Sequence, residues 1–119
     1  MARDDYHVIV YQILSYLYQC LKKGNDVNAD LLKADSPMLN INQSYWEYIM
    51  FNLYKDGYIS GIALIPLDNK EYTYIQELKK TRLTPKGIEY LCDNSFMEKA
   101  KQFLKETKEI TPFIYGNQI

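Results

Sequence analysis

Leu53-Tyr-Lys-Asp-Gly57-Tyr-Ile59 and Leu83-Thr-Pro-Lys-Gly87-Ile-Glu-Tyr-Leu91 are the two stretches on whose reading the fold turns. In the first, a helix ends: Lys55-Asp56-Gly57 closes it, with Gly57 in the left-handed position that only glycine takes at little cost. In the second, a helix begins, with Thr84 as its cap and Pro85 at the first helical position. The lack of a side chain at Gly87 lets that capped helix approach a sheet closely. Between the two joints the period changes. Tyr58 to Ile65 is rich in β-branched and aromatic residues and predicts a strand. Pro66 and Asp68-Asn69-Lys70 mark a turn. Tyr72 to Ile75 and Glu77 to Leu83 contain the return strand or strands of a hairpin, whose register the alternation leaves open.

Upstream, apolar positions at Ile9/Val10, Ile13/Leu14, Leu17 and Cys20/Leu21 recur at helical spacing and predict a first helix from about Asp4 to Lys23. Gly24-Asn25 supplies its stop. Val8, Tyr11, Ser15 and Tyr18 lie on a different face, so this helix needs a second partner, either the C-terminal segment or another subunit. Asn28 to Asp35 predicts a short helix capped by Asn28 and ended at Ser36-Pro37, with Met38 to Asn42 as a connecting loop. A third helix is expected from about Gln43 to Asp56, capped by Asn42 or Ser44 and burying Trp46, Ile49, Met50 and Leu53. After the helix that opens at Thr84, Ser95-Phe-Met-Glu98 has capping-box spacing for a last helix. Its apolar stripe is Phe96, Met97, Ala100, Phe103 and Leu104. At 119 residues the chain fits one compact domain, drawn here over residues 1–110 with a tail over 111–119.

Three helices followed by a β-hairpin is the element order of a winged helix-turn-helix. The expected fold class is therefore α+β: a three-helix core, a hairpin wing and additional C-terminal helices. The local sequence agrees. Leu53 to Ile59 resembles the junction at which a third helix hands over to the wing. Leu83 to Leu91 resembles the step that follows the wing in many bacterial winged-helix proteins. With the length and the lysine-rich last helix, the chain resembles the YjcQ family of small bacterial and phage winged-helix proteins, over roughly Asp5 to Lys108.

Winged helices that read DNA place the third helix in the major groove. Its outward-facing candidates are Gln43, Ser44, Glu47, Tyr48, Asn52 and Lys55; Gln and Asn can pair bidentately with adenine. No arginine lies on this helix. The basic cluster is Lys79, Lys80, Arg82 and Lys86, on the returning wing strand and the start of the next helix, where cations can hold phosphate. Lysines on an exposed edge strand also serve simply to block edge-to-edge pairing. Lys+Arg 14 against Asp+Glu 15 gives a net charge of −1, unusual for an autonomous DNA binder. The leading expectation is a non-catalytic DNA-binding or transcription-regulatory protein that contacts double-stranded DNA through Gln43, Ser44, Tyr48, Asn52, Lys55 and the basic cluster. The alternative is a winged-helix adaptor that binds another protein and no DNA.

Catalysis has little to stand on. His7, the single histidine, has no nucleophile and acid at triad-like spacing. No glycine-rich phosphate loop precedes a helix. Cys20, Cys92 and His7 lack the spacing of a zinc site, and neither metal nor cofactor is expected. Both cysteines read as small core residues. The uncharged run Tyr6 to Leu21 is shorter than the ~20 apolar residues of a membrane span and contains Gln12, Ser15 and Gln19, so a buried helix and a cytoplasmic location are expected. Twelve tyrosines suggest surfaces that are apolar yet wet. A homodimer is expected, with Tyr11, Tyr18 and the last helix at its interface, and the tail's Pro112 to Tyr115 exchanged between chains.

Overall fold

The computed structural model of the chain describes residues 1–65 and 74–107. Among these, α1 (Tyr6–Lys23), α2 (Ala29–Leu32) and α3 (Gln43–Lys55) precede β1 (Ile59–Ser60), β2 (Ala63–Ile65), β3 (Tyr74–Gln76) and β4 (Arg82–Leu83). A 3-10 turn at Leu78–Lys80 separates β3 from β4, and α4 (Pro85–Asp93) and α5 (Ser95–Thr107) complete the order. The class is α+β. The expected turn at Pro66 to Lys70 and the tail over 111–119, including Pro112 to Tyr115, lie outside the described residues.

Every residue of α1 from Val8 to Ser15 is buried, and so are Leu17, Gln19 and Cys20. A helix covered on so many sides must be central. It packs against β4, α4 and, most extensively, α5. The second partner demanded by its two apolar faces is thus the chain's own C-terminal pair of helices. Gly24 ends it in the left-handed conformation, with Gly24 N–H donating to Leu21 O at 3.3 Å and Asn25 N–H to Cys20 O at 3.0 Å.

This packing corrects the expected dimer contact at Tyr11. Tyr11 is 2% exposed and borders a small internal hollow with Leu91, Met97 and Lys101 of the same chain, leaving almost no ring surface for a second subunit. Burial pushes its phenol above the ordinary range. Tyr18 is half-buried, with the Lys22 ammonium 4.8 Å from its ring centroid. Cys92 is also corrected, because it is exposed on α4 while Cys20 is buried; both thiols are free.

The second helix is shorter than expected. Asn28 caps it, accepting from Asp30 N–H at 3.0 Å, but Lys33 is already extended at ψ 156°. Local turns win here. Ser36 N–H donates to Lys33 O at 3.1 Å, and the Ser36 hydroxyl accepts from Leu39 N–H at 3.1 Å, an alternative to helix that serine supplies readily. Trp46 Nε1 donates to Leu32 O at 2.7 Å and ties α2 to α3. Helix α3 itself is as read: Asn42 caps it, accepting from Tyr45 N–H at 2.8 Å, and Trp46, Ile49, Met50 and Leu53 are its buried residues.

The strand expected over Tyr58 to Ile65 is two strands with different partners. β1 pairs antiparallel with β4 (Ile59 opposite Leu83, Ser60 opposite Arg82), while β2 pairs with β3 (Ala63 opposite Gln76, Leu64 opposite Ile75, Ile65 opposite Tyr74). The break falls at Gly61, whose φ of 89° few other residues adopt and whose missing side chain leaves room for the Lys80 carbonyl. On the return side the 3-10 turn makes the matching interruption.

The stretches Leu53 to Ile59 and Leu83 to Leu91 meet as two sides of one joint. Thr84 N–H donates to Tyr58 O at 3.1 Å, and the Thr84 hydroxyl donates to Gly57 O while accepting from Gly87 N–H at 3.0 Å. A Cβ on Gly87 would overlap the Tyr58 carbonyl oxygen and come within 2.7 Å of Leu83 Cδ1. Helix α4 therefore rests directly on the backbone that leaves α3. Helix α5 is capped one residue earlier than expected: Asn94, rather than Ser95, accepts from Phe96 N–H at 2.8 Å and Met97 N–H at 3.3 Å. An amide side chain in extended backbone suits that role as well as serine does.

Candidate interaction surface

Helix α3 presents Ser44, Tyr48, Phe51 and Lys55 on one face, at the spacing that brings helical residues into register. Ser44 and Lys55 are exposed, Phe51 is half-buried and Tyr48 is 55% exposed. Two further candidates are engaged by the helix itself. Gln43 Nε2 donates to Glu47 Oε2 at 3.1 Å, and Asn52 Nδ2 donates to Tyr48 O at 2.8 Å. The amides expected to read base edges thus already hold local partners. Phe51 was absent from the sequence-derived candidates, although its position three residues after Tyr48 carried the signal.

The basic cluster is exposed, and most of it is occupied too. Lys79 and Lys80 lie in the 3-10 turn, where Lys80 Nζ pairs with Glu77 Oε1 at 3.0 Å. Arg82 Nη1 donates to Lys79 O at 3.1 Å and Thr81 O at 2.9 Å, folding the guanidinium back onto the turn. Lys86 belongs to α4 and places its ammonium 5.6 Å from the Tyr58 ring centroid.

What the separate segments did not announce is an aromatic surface. Tyr48 meets Tyr6 edge-on at 6.3 Å, Tyr6 meets His7 edge-on at 5.3 Å, and His7 stacks on Phe96 at 4.4 Å and 7°. Lys99 reaches over Phe96 at 5.3 Å, and Phe96 is 45% exposed. Beside this run, Tyr58 stacks on Tyr90 at 4.4 Å. Burial pushes the Tyr6 phenol up to about 12, and Tyr90, Asp56, Tyr48 and Tyr58 stand near enough to add to the effect. Side chains from α1, α3, α4, α5 and the joint converge here, bringing four of the twelve tyrosines together. The only signal in the sequence was the number of tyrosines.

A separate hollow of about 710 Å³ opens between α2, the start of α3 and β3, where Ile41, Trp46, Ile75 and Leu78 are among its described lining. Lys33 on its rim is ion-paired with Asp30 at 3.1 Å. Among the described residues no cluster of three or more His, Cys, Asp or Glu side chains is placed to hold a metal ion. No helix of the described residues is long and apolar enough to cross a membrane.

These features define a small α+β protein organised around a buried first helix, with chemistry-bearing side chains spread over an aromatic, mixed-charge surface. The family described as YjcQ protein matches residues 11–110, from within α1 to beyond α5. The chain belongs to the YjcQ family. No curated protein and no solved structure gives a significant match to it.

Proposed function

We propose that this chain is a non-catalytic winged-helix module of the cytoplasm that docks another protein through its aromatic surface. The winged-helix reading is supported by the order of three helices, a hairpin and a capped helix resting on the joint. The observation that carries the function is Tyr48. It stands more than half exposed on the outward face of α3, continuous with Tyr6, His7 and Phe96. Exposed aromatic rings held rigidly by one another are characteristic anchors of protein interfaces. A phosphate-binding face would instead carry free cations, and here Lys80 and Arg82 are engaged by their own turn.

Double-stranded DNA is the second reading, favoured by the exposure of Lys79, Lys80, Arg82 and Lys86 at the base of the wing. Fluorescence anisotropy with labelled duplex of mixed sequence, at roughly 50 and 150 mM salt, separates the two. Protein docking expects no salt-dependent DNA binding, together with capture of a partner by the intact chain and its loss in Tyr48→Ala. Binding that weakens steeply with salt and disappears in the K79A/K80A/R82A variant would overturn protein docking and establish the phosphate-contact mode.

A further inference from the structure

Tyr58 and Tyr90 stack at 4.4 Å and 23° beside a shallow cleft of about 300 Å³. The rest of its described lining is Lys86, Glu89, Asp93 and Asn94. Lys86, Glu89, Tyr90 and Asp93 follow one another at the spacing of a single helical face, so α4 forms one wall and Tyr58, from the joint, the other. The Asn94 amide oxygen is committed to capping α5. That leaves two exposed carboxylates against one ammonium, and the ammonium of Lys86 already lies over the Tyr58 ring. Asp56, exposed at the end of α3, adds a third acid on this side. Its charge, after burial and Tyr58, helps to keep the Tyr90 phenol protonated.

We infer that this cleft receives an arginine- or lysine-bearing segment of a protein partner. The inference rests on the protein-docking reading and names the partner by its charge. Ring faces carry negative electrostatic potential and attract cations, and this surface already draws two of its own onto rings, Lys86 over Tyr58 and Lys99 over Phe96. Carboxylates around the rings complete a host for positive charge. Arginine fits best, because its planar guanidinium stacks on an aromatic ring while its edge donates to a carboxylate. A nucleic-acid backbone would meet Asp56, Glu89 and Asp93 with Lys86 as the opposing charge, so the same face disfavours it.

The test is an NMR titration of the isotope-labelled full chain with a peptide of four Gly-Arg repeats, a Gly-Glu repeat peptide serving as control. The expected result is saturable amide shifts over residues 56–58 and 86–94 from the arginine peptide only, reduced by salt. The E89Q/D93N variant, altered at two exposed positions, should keep its spectrum elsewhere and bind about fivefold more weakly, as expected for two exposed charge contacts. No binding, shifts centred on another surface, or unchanged affinity in E89Q/D93N would overturn the inference. Should any of these occur while Tyr48→Ala still abolishes partner capture, the cleft assignment fails and the docking reading stands. Salt-sensitive duplex binding lost in the wing variant fails the docking reading itself.

Discussion

The joint where α4 sits on the end of α3 and the aromatic surface beside it share Tyr58, yet they are built on opposite terms. At the joint, backbone groups and one hydroxyl satisfy one another: Thr84 bridges Gly57 and Gly87, and the Thr84 amide reaches Tyr58 O. There is no room for another atom at Gly87. On the surface, side chains meet through ring contacts at 4.4 to 6.3 Å, with cations leaning over them and half of Tyr48 in solvent. A change at the joint should therefore be felt as lost stability. A change on the surface should be felt as lost binding, with the fold intact.

The sharpest way to break this contrast is Gly87→Ala. Its methyl group collides with backbone at Tyr58 O, which cannot rotate aside. Overpacking of this kind should cost about 3 kcal/mol and lower the thermal midpoint by roughly 10 °C, read by circular dichroism. An unchanged midpoint would mean that α4 is free to lift off. Thr84→Ala comes next, removing a helix cap and the bond to Gly57 together, at about 2 kcal/mol. Thr84→Ser should recover most of that loss, because the hydroxyl is what both partners use.

Alkaline pH probes the boundary between the two regions. An ordinary tyrosine loses its proton near pH 10, whereas Tyr6 holds its own to about 12. Between those values the unfolded chain releases a proton that the folded chain retains, so this contribution to stability is intact below about pH 10 and lost as pH rises to about 12. Urea midpoints measured across that window should fall less steeply in Tyr6→Phe. The smallest effects on stability are expected from Tyr48→Ala and K79A/K80A/R82A, each within about 0.5 kcal/mol of the parent. A large loss in either would place those side chains in the architecture and not on a binding face.

Much of the joint was legible because its requirements are local. A glycine ending α3, a threonine-proline pair opening α4 and a small residue at position 87 each have a short-range physical cause, visible in consecutive residues. The buried stripe of α3 was legible for the same reason, as Trp46, Ile49, Met50 and Leu53 repeat with the helix. The split at Gly61 was not, since it depends on the Lys80 carbonyl arriving from the other side of the hairpin. Nor was the burial of Tyr11, which requires α5 to lie along α1. The aromatic surface was least legible. Residues 6, 48, 58, 90 and 96 come together only when the chain closes, and each alone reads as an ordinary tyrosine or phenylalanine. The cations gave the opposite lesson: within a cluster contiguous in sequence, a 3-10 turn engages Arg82 through carbonyls and Lys80 through an acid.

Because α1 is covered by α4 and α5, its core is complete only once the C-terminal helices are in place. The first helix leaves the ribosome with a large apolar surface whose covering by α4 and α5 begins about sixty residues after its end, so the nascent chain carries an incomplete core until α5 emerges. That favours either a holding chaperone or rapid final docking of the C-terminal helices. A chain stopped before Ser95 would therefore leave Tyr11 and its neighbours without the cover that α5 provides.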